Sequence, residues 1–170
     1  ERVALANPEV MFTLSHNDNE LFHLPASNFR QRVVGVFGKR YNEKLVPLSE
    51  ETDLVKIQGF LGKPEMAKKS RGEQFFFVNN RFIKSSYLHH AIKDAMSDML
   101  QAEAQPSYFL HLQVNPSTID VNIHPTKTEI KFEDERAIYA ILKSATRQAL
   151  GKHHVSPSLD FETETGFSIP

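Results

Sequence analysis

Apolar positions recur along this chain with two periods, and the switches between them lay out an α+β domain. Residues 9–16 and 20–24 bracket Asn17-Asp-Asn19, whose side chains tolerate left-handed backbone, so a β-hairpin is expected there. Ser27 is placed to cap a helix that carries Phe29, Val33, Val36 and Phe37 on one face and ends near Gly38. Residues 53–61 alternate as a strand with Leu54, Ile57 and Phe60 as core positions, and residues 62–72, with Pro64 and several charges, read as an exposed loop. Residues 74–78 are apolar almost throughout, as a strand covered on both faces requires, and Asn79-Asn80 makes the next turn. From Ser85 or Ser86 to about Leu100 the period is helical, with Leu88, Ala91, Ile92, Ala95, Met96 and Met99 on the buried side. Tyr108, Leu110, Leu112 and Val114 return to period two, and Asn115-Pro116-Ser117 turns the chain into a further strand over 119–124. A last helix is expected from about Glu133-Asp-Glu135, acids suited to its positive end, to about Gly151.

The two ends lack this pattern. Residues 1–8 read as the last turns of a helix stopped by Asn7-Pro8, and residues 152–170 mix Ser, Pro, His and acids without periodicity, as a linker does. The expected organisation is therefore a domain body at 9–151 cut from a longer protein, preceded by the end of an upstream helix and followed by a linker. At 170 residues, 40% apolar and 24% charged, the chain can bury one sizeable core, and its composition excludes general disorder. With no cysteine it holds no disulfide, thiolate metal site or catalytic thiol. No apolar run is long enough to span a bilayer, so a soluble intracellular protein is expected.

A net charge of −1 conceals an uneven distribution. Lys63, Lys68, Lys69, Arg71, Arg81 and Lys84 face only Glu65 and Glu73 in their stretch, whereas Asp160, Glu162 and Glu164 follow Lys152 with no further lysine or arginine. The basic stretch reads either as a solvated loop and strand edge or as a surface turned towards a polyanion.

The segment from Ile119 to Phe132 carries the sharpest candidate chemistry. Ile119, Val121 and Ile123 alternate with Asp120, Asn122 and His124, then Pro125 removes a backbone donor and keeps His124 extended. Lys127 follows as a charge on a stiff support, a geometry suited to a phosphate oxygen; on composition alone it reads as a solvated loop lysine. Asp120 and Asn122 can hydrogen-bond the loop that holds it. A metal site would need ligands from elsewhere, and no zinc-like spacing is present. His89-His90 and His153-His154 read as solvent-facing. The glycines match neither phosphate-binding loop pattern, and no nucleophile motif occurs, so this chain alone is not expected to hydrolyse anything.

Phe75-Phe-Phe-Val-Asn-Asn-Arg-Phe-Ile-Lys84 followed by Asp120-Val-Asn-Ile-His-Pro-Thr-Lys127, with an amphipathic helix between them, closely resembles the bacterial MutL family of DNA mismatch-repair proteins. Arg32-Val-Val-Gly-Val-Phe-Gly38 adds to that likeness, which points to the family's second domain, the transducer that follows a GHKL ATPase domain. The resemblance implies a ribosomal protein S5 domain 2-like two-layer sandwich, a mixed four- or five-stranded sheet with helices on one face. It implies ATP and Mg2+ in the parent protein, with Lys127 reaching the γ-phosphate from outside the ATPase domain and Asp120, Asn122, His124 and Pro125 supporting its loop. It further implies non-specific contact with the DNA backbone through Arg81, Lys84, Lys68, Lys69 and Arg71, self-association of the full-length protein, a mismatch-recognition partner of the MutS type, and a bacterial cytoplasmic, nucleoid-associated setting. Two departures stand out: Asn80 replaces the family's usual glycine, and Ser85 and Ser86 replace basic residues after the turn. A stand-alone S5-like nucleic-acid-binding module and the transducer of another GHKL ATPase, such as a type II topoisomerase, are the alternatives. The paired motifs argue against the topoisomerase.

Overall fold

The computed structural model describes residues 1–69, 73–121 and 128–167, leaving aside the side chains at 21, 22 and 154–167. Five strands form the central sheet: β3 (Leu45–Glu51), β4 (Lys56–Gly62), β5 (Gln74–Val78), β6 (Arg81–Ile83) and β7 (Tyr108–Gln113), in the order β3-β4-β7-β5-β6. Every pairing is antiparallel except that of β5 with β7, which is parallel and needs the crossover through helix α4 (Ser86–Ala95). Two ribbons stand apart from this sheet, β1 (Phe12–His16) with β2 (Asn19–Leu24), and β8 (Ile119–Val121) with β9 (Ile130–Phe132).

Asn and Asp chemistry fixes both hairpin turns as the sequence predicts. Asn17 and Asp18 have φ of 51° and 62°, and Asn79 and Asn80 have 48° and 69°, the paired left-handed residues that match the twist of flanking strands. Asn80 thus takes the backbone a glycine would otherwise supply.

One sheet face is mainly aliphatic, with Phe76 and Tyr108 its aromatic members, their rings 4.5 Å apart. Val46, Leu48, Ile57, Leu61, Val78, Ile83, Leu110 and Leu112 pack there beneath α4 and α5 (Glu135–Phe167), joined by Leu88, Ile92, Met96, Ile138 and Leu142. Ser85 caps α4 by accepting a bond from the Leu88 amide at 3.1 Å, and Asp134 caps α5 through the Ala137 amide at 3.2 Å. On the outer side Lys143 reaches Asp94 at 2.6 Å, and this ammonium, with His90 and Arg147 nearby, holds the Asp94 carboxyl below its ordinary range.

The opposite face is aromatic. Phe77 and Phe109 are wholly buried, with Phe75, Phe82 and Phe60 around them, under α1 (Arg2–Ala6), α2 (Phe29–Phe37) and the single turn α3 (Tyr41–Lys44). The Tyr41 hydroxyl donates to Glu73, and burial together with that acceptor pushes its pKa well up.

Several local readings are corrected. The cap of α2 is Asn28, whose side chain accepts from the Gln31 amide at 2.8 Å while Gln31 reaches back to the Asn28 amide; Ser27 instead donates to the Asn28 carbonyl. Leu54 is exposed and Val55 takes the buried place, because the strand begins only at Lys56 after a turn closed by Thr52 and Val55. β3 is an additional strand, an edge one, where Pro47 is tolerated. α4 ends at Ala95 rather than near Leu100. His89 is half-buried against the Tyr108 hydroxyl at 2.9 Å, and His153 lies 3.6 Å from Glu65, so neither is simply solvent-facing. α5 continues through Gly151, where no cap forms, to Phe167.

Candidate functional site

The β8–β9 ribbon fixes both sides of the segment that contains Lys127. Ile119 pairs with Phe132, Asp120 with Lys131 and Val121 with Ile130. Ile119, Ile130 and Phe132 are half-buried against the aliphatic core, so the ribbon's apolar face is anchored. At its base Asn115 accepts from the Ser117 amide at 3.0 Å and from the Ser117 hydroxyl at 2.9 Å, and the Glu133 amide donates to the Thr118 carbonyl at 2.8 Å. On the far side the Lys84 amide donates to the Thr128 carbonyl at 3.0 Å, tying the ribbon to the end of β6. Asn122, His124, Pro125 and Lys127 themselves lie outside the described residues, as does Arg71.

An open groove of about 630 Å³ runs between this ribbon and the start of α4. Lys84 and Lys131 line it together with Asp120, Glu129 and Glu135, and Ser85 and Ser86 complete its α4 side. The structure thus brings Asp120 and Lys84 into one cleft of mixed charge. Asp120 is exposed and stands in register with Lys131, two features that suit a polar support for the ribbon.

Arg81 occupies the other end of β6, level with Val78 and so with Leu112 across β5. Asn79 holds that corner: its side chain accepts from the Val114 amide and donates to the Val114 carbonyl, each at 3.0 Å, continuing the β5–β7 pairing as a third backbone would. Arg81 and Lys84 are exposed and make no side-chain bond to another described residue. Lys68 bridges to Gln105, ahead of β7, and Lys69 lies 4.0 Å from Glu103 in a pair too exposed to add much stability. Arg81, Lys84, Lys68 and Lys69 are therefore strung along the domain, not gathered in one pocket.

Two polar residues inside the aromatic layer carry no sequence signal of their position. His111 is half-buried, its ring 4.8 Å from Phe77 and 4.5 Å from Phe29, and desolvation lowers its pKa against the pull of the Leu5 carbonyl and Glu9. Arg32 is 1% exposed, and burial lowers its pKa too. Both stand on elements whose apolar neighbours announced only a core face. Among the described residues no three His, Asp or Glu side chains converge as metal ligands, and no helix is long and apolar enough to cross a membrane.

Comparison with known proteins adds the lineage. The family model described as the C-terminal domain of DNA mismatch repair proteins matches residues 33–151. Over all 170 residues the chain is 62% identical to DNA mismatch repair protein MutL of Flavobacterium psychrophilum, 59% to that of Christiangramia forsetii and 42% to that of Porphyromonas gingivalis. It spans 28% of the length of each. The N-terminal domain of a DNA repair protein superposes with a TM-score of 0.73 at 22% identity, over 91% of this chain and 52% of the other. A point-mutant MutL ATPase domain of Aquifex aeolicus gives 0.57 at 19% identity, over 85% and 47%. These likenesses establish the fold, the S5 domain 2-like arrangement of a mixed five-stranded sheet, here with α4 and α5 on one face and the short α1, α2 and α3 on the other rather than helices on one face alone.

Proposed function

This chain belongs to the MutL family of DNA mismatch repair proteins, and we propose that it is the family's transducer, the part that turns nucleotide state into domain closure. The observation that carries the reading is the tethering of the segment 122–127 at both ends, by Val121 within the anchored ribbon and by Thr128 bonded to Lys84. A segment so held can present Lys127 to a fixed point outside the domain. That point is the γ-phosphate of ATP, bound with Mg2+ in an upstream GHKL domain that makes the whole protein an ATPase. The lysine supplies one preorganised positive charge where phosphoryl charge develops, and removal of such a group costs about 3 kcal/mol. Because the γ-phosphate disappears on hydrolysis, the same contact closes the domains in the ATP state and releases them afterwards. Asp120, Asn122, His124 and Pro125 keep the support stiff.

Arg81, Lys84, Lys68, Lys69 and Arg71 contact the DNA backbone. The spread of Arg81, Lys84, Lys68 and Lys69 along the domain suits a passing duplex better than a single phosphate, and such contacts carry no base specificity and weaken with salt. In the cell the whole protein self-associates, works with a mismatch recogniser of the MutS type and resides in the bacterial cytoplasm at the nucleoid.

The deciding experiment compares ATP turnover and nucleotide affinity of the full-length protein with and without Lys127→Ala. A fall of about a hundredfold in turnover with affinity retained is expected. Unchanged turnover would reject the γ-phosphate contact.

A further inference from the structure

Arg32 lies on α2 with its guanidinium surrounded by backbone carbonyls. Nη1 donates to Ala4 at 2.9 Å and Asn7 at 3.3 Å; Nη2 donates to Pro8 at 2.9 Å, Val10 at 2.5 Å and Pro25 at 2.9 Å. The five acceptors belong to the end of α1, the Asn7-Pro8 link, the approach to β1 and the exit of β2. The guanidinium also lies 5.3 Å from the ring centre of Phe12 in β1. No carboxylate among the described residues bonds to it, although Glu9 lies near enough to favour its charge, so the hydrogen bonds of this buried guanidinium all go to main chain.

That arrangement matters because the other anchors of the segment lie at its two ends, where Leu5 and Ala6 enter the aromatic core and Leu24 is buried. β1 and β2 form their own sheet, with no ladder to the central one. Val10, Met11 and Leu14 are exposed, so β1 and its approach gain little from burial at these positions, and a lone two-stranded ribbon is marginal in water. The Ser27 amide adds one bond to the Pro8 carbonyl at 2.8 Å.

We propose that Arg32 is a positioning residue that makes residues 4–25 move as one body with the sheet. The role rests on the transducer reading and deepens it: α1 leads in from the nucleotide-binding part, and the clasp at Arg32 passes a displacement there to the sheet and to the ribbon that carries Lys127. A planar five-donor fork can serve carbonyls from several segments at once, whereas a lysine ammonium has three donors on one atom.

The test uses Arg32→Lys and Arg32→Met in the full-length protein, with amide hydrogen exchange, ATP turnover and nucleotide affinity as readouts. Exchange of the amides at 7–24 should rise about tenfold in Arg32→Lys while those of β4 and β7 keep their protection, since local opening is then decoupled from global unfolding. Turnover should fall with affinity retained, and Arg32→Met should exaggerate both effects. Unchanged exchange at 7–24 in both variants overturns the proposal. So does a parallel rise across the domain, which would make Arg32 a general determinant of folding. Turnover that holds in Arg32→Lys but drops in Lys127→Ala rejects the coupling role alone. Should Lys127→Ala itself leave turnover intact, the transducer reading fails, and the exchange experiment still decides whether Arg32 clasps the segment.

Discussion

The two faces of the central sheet are closed by opposite means. On the aliphatic side α4 and the much longer α5 lay down apolar stripes, and Phe76 and Tyr108 are the aromatic members of an otherwise aliphatic cluster whose packing follows mainly from area. On the other side α1 has 5 residues, α2 has 9 and α3 has 4, with no counterpart to the 33 residues of α5, and together they are too little helix to cover five strands with aliphatic side chains. Aromatic rings make up the difference. Phe75 stacks on Phe109 at 5.8 Å and on Phe77 at 6.3 Å, and Phe37 touches both Phe75 and Phe109. Ring pairs of this kind add about 0.5–1.5 kcal/mol beyond their buried area, but only in a narrow range of geometries. The aliphatic face should therefore tolerate substitutions of similar volume, and the aromatic face should not.

The largest expected effect falls on both faces together. Gly59 in β4 has φ of 150°, and a Cβ there would stand 2.0 Å from the Phe109 carbonyl oxygen. Gly59→Ala must push β4 away from β7 between the two layers, and a loss of at least about 3 kcal/mol is expected in urea unfolding, with a failure to fold as the extreme. A loss below about 1 kcal/mol would mean that the strands can part at little cost, against the close packing described.

A paired set of core substitutions separates the faces themselves. Phe77→Ala and Leu142→Ala should each cost about 3–5 kcal/mol, since both side chains are wholly buried. The informative members are Phe77→Leu and Leu142→Met. The methionine should cost under about 1.5 kcal/mol, because Met fills irregular gaps, whereas loss of the Phe77 ring should cost clearly more. Equal costs in the two conservative variants would remove the distinction between the faces.

How much of this could be read from the sequence divides along the same line. The turns at Asn17-Asp18 and Asn79-Asn80, the strand of Tyr108 and the core face of α4 were legible because each depends on local chemistry or on one period. β3 was not, because Pro47 breaks the strand pattern and becomes acceptable only at the sheet edge, a fact of tertiary order. The run past Gly151 was missed because a glycine signals a helix end only when a left-handed cap forms, and here the backbone stays helical. At the candidate site, Asp120 and Lys84 were named from motifs, but their shared groove depends on the Lys84 amide meeting Thr128, a contact between residues 44 apart in sequence that no local pattern encodes. Arg32 was read as part of a helical motif, since its partners are main-chain carbonyls, which every residue carries.

His111 gives the smallest and most selective way to probe the aromatic face. Its ring lies between Phe77 and Phe29, and burial depresses its pKa below the ordinary 6.5. The unfolded chain therefore binds the proton first as pH falls, so this group's contribution to stability is fully present above about 6.5 and is lost towards the depressed folded value. Thermal midpoints measured between pH 7 and pH 5.5 should fall in the wild-type chain. His111→Phe keeps an aromatic ring between the two phenylalanines and removes the titration, so its midpoint should fall less over the same interval, although loss of the bond to the Leu5 carbonyl lowers it at pH 7. The chain contains eight histidines, and a slope unchanged by this substitution would assign the acid sensitivity to the others. A slope that flattens would show that the aromatic layer excludes charge as well as water, whereas on the aliphatic face the nearest histidine, His89, meets the core only at the Tyr108 hydroxyl.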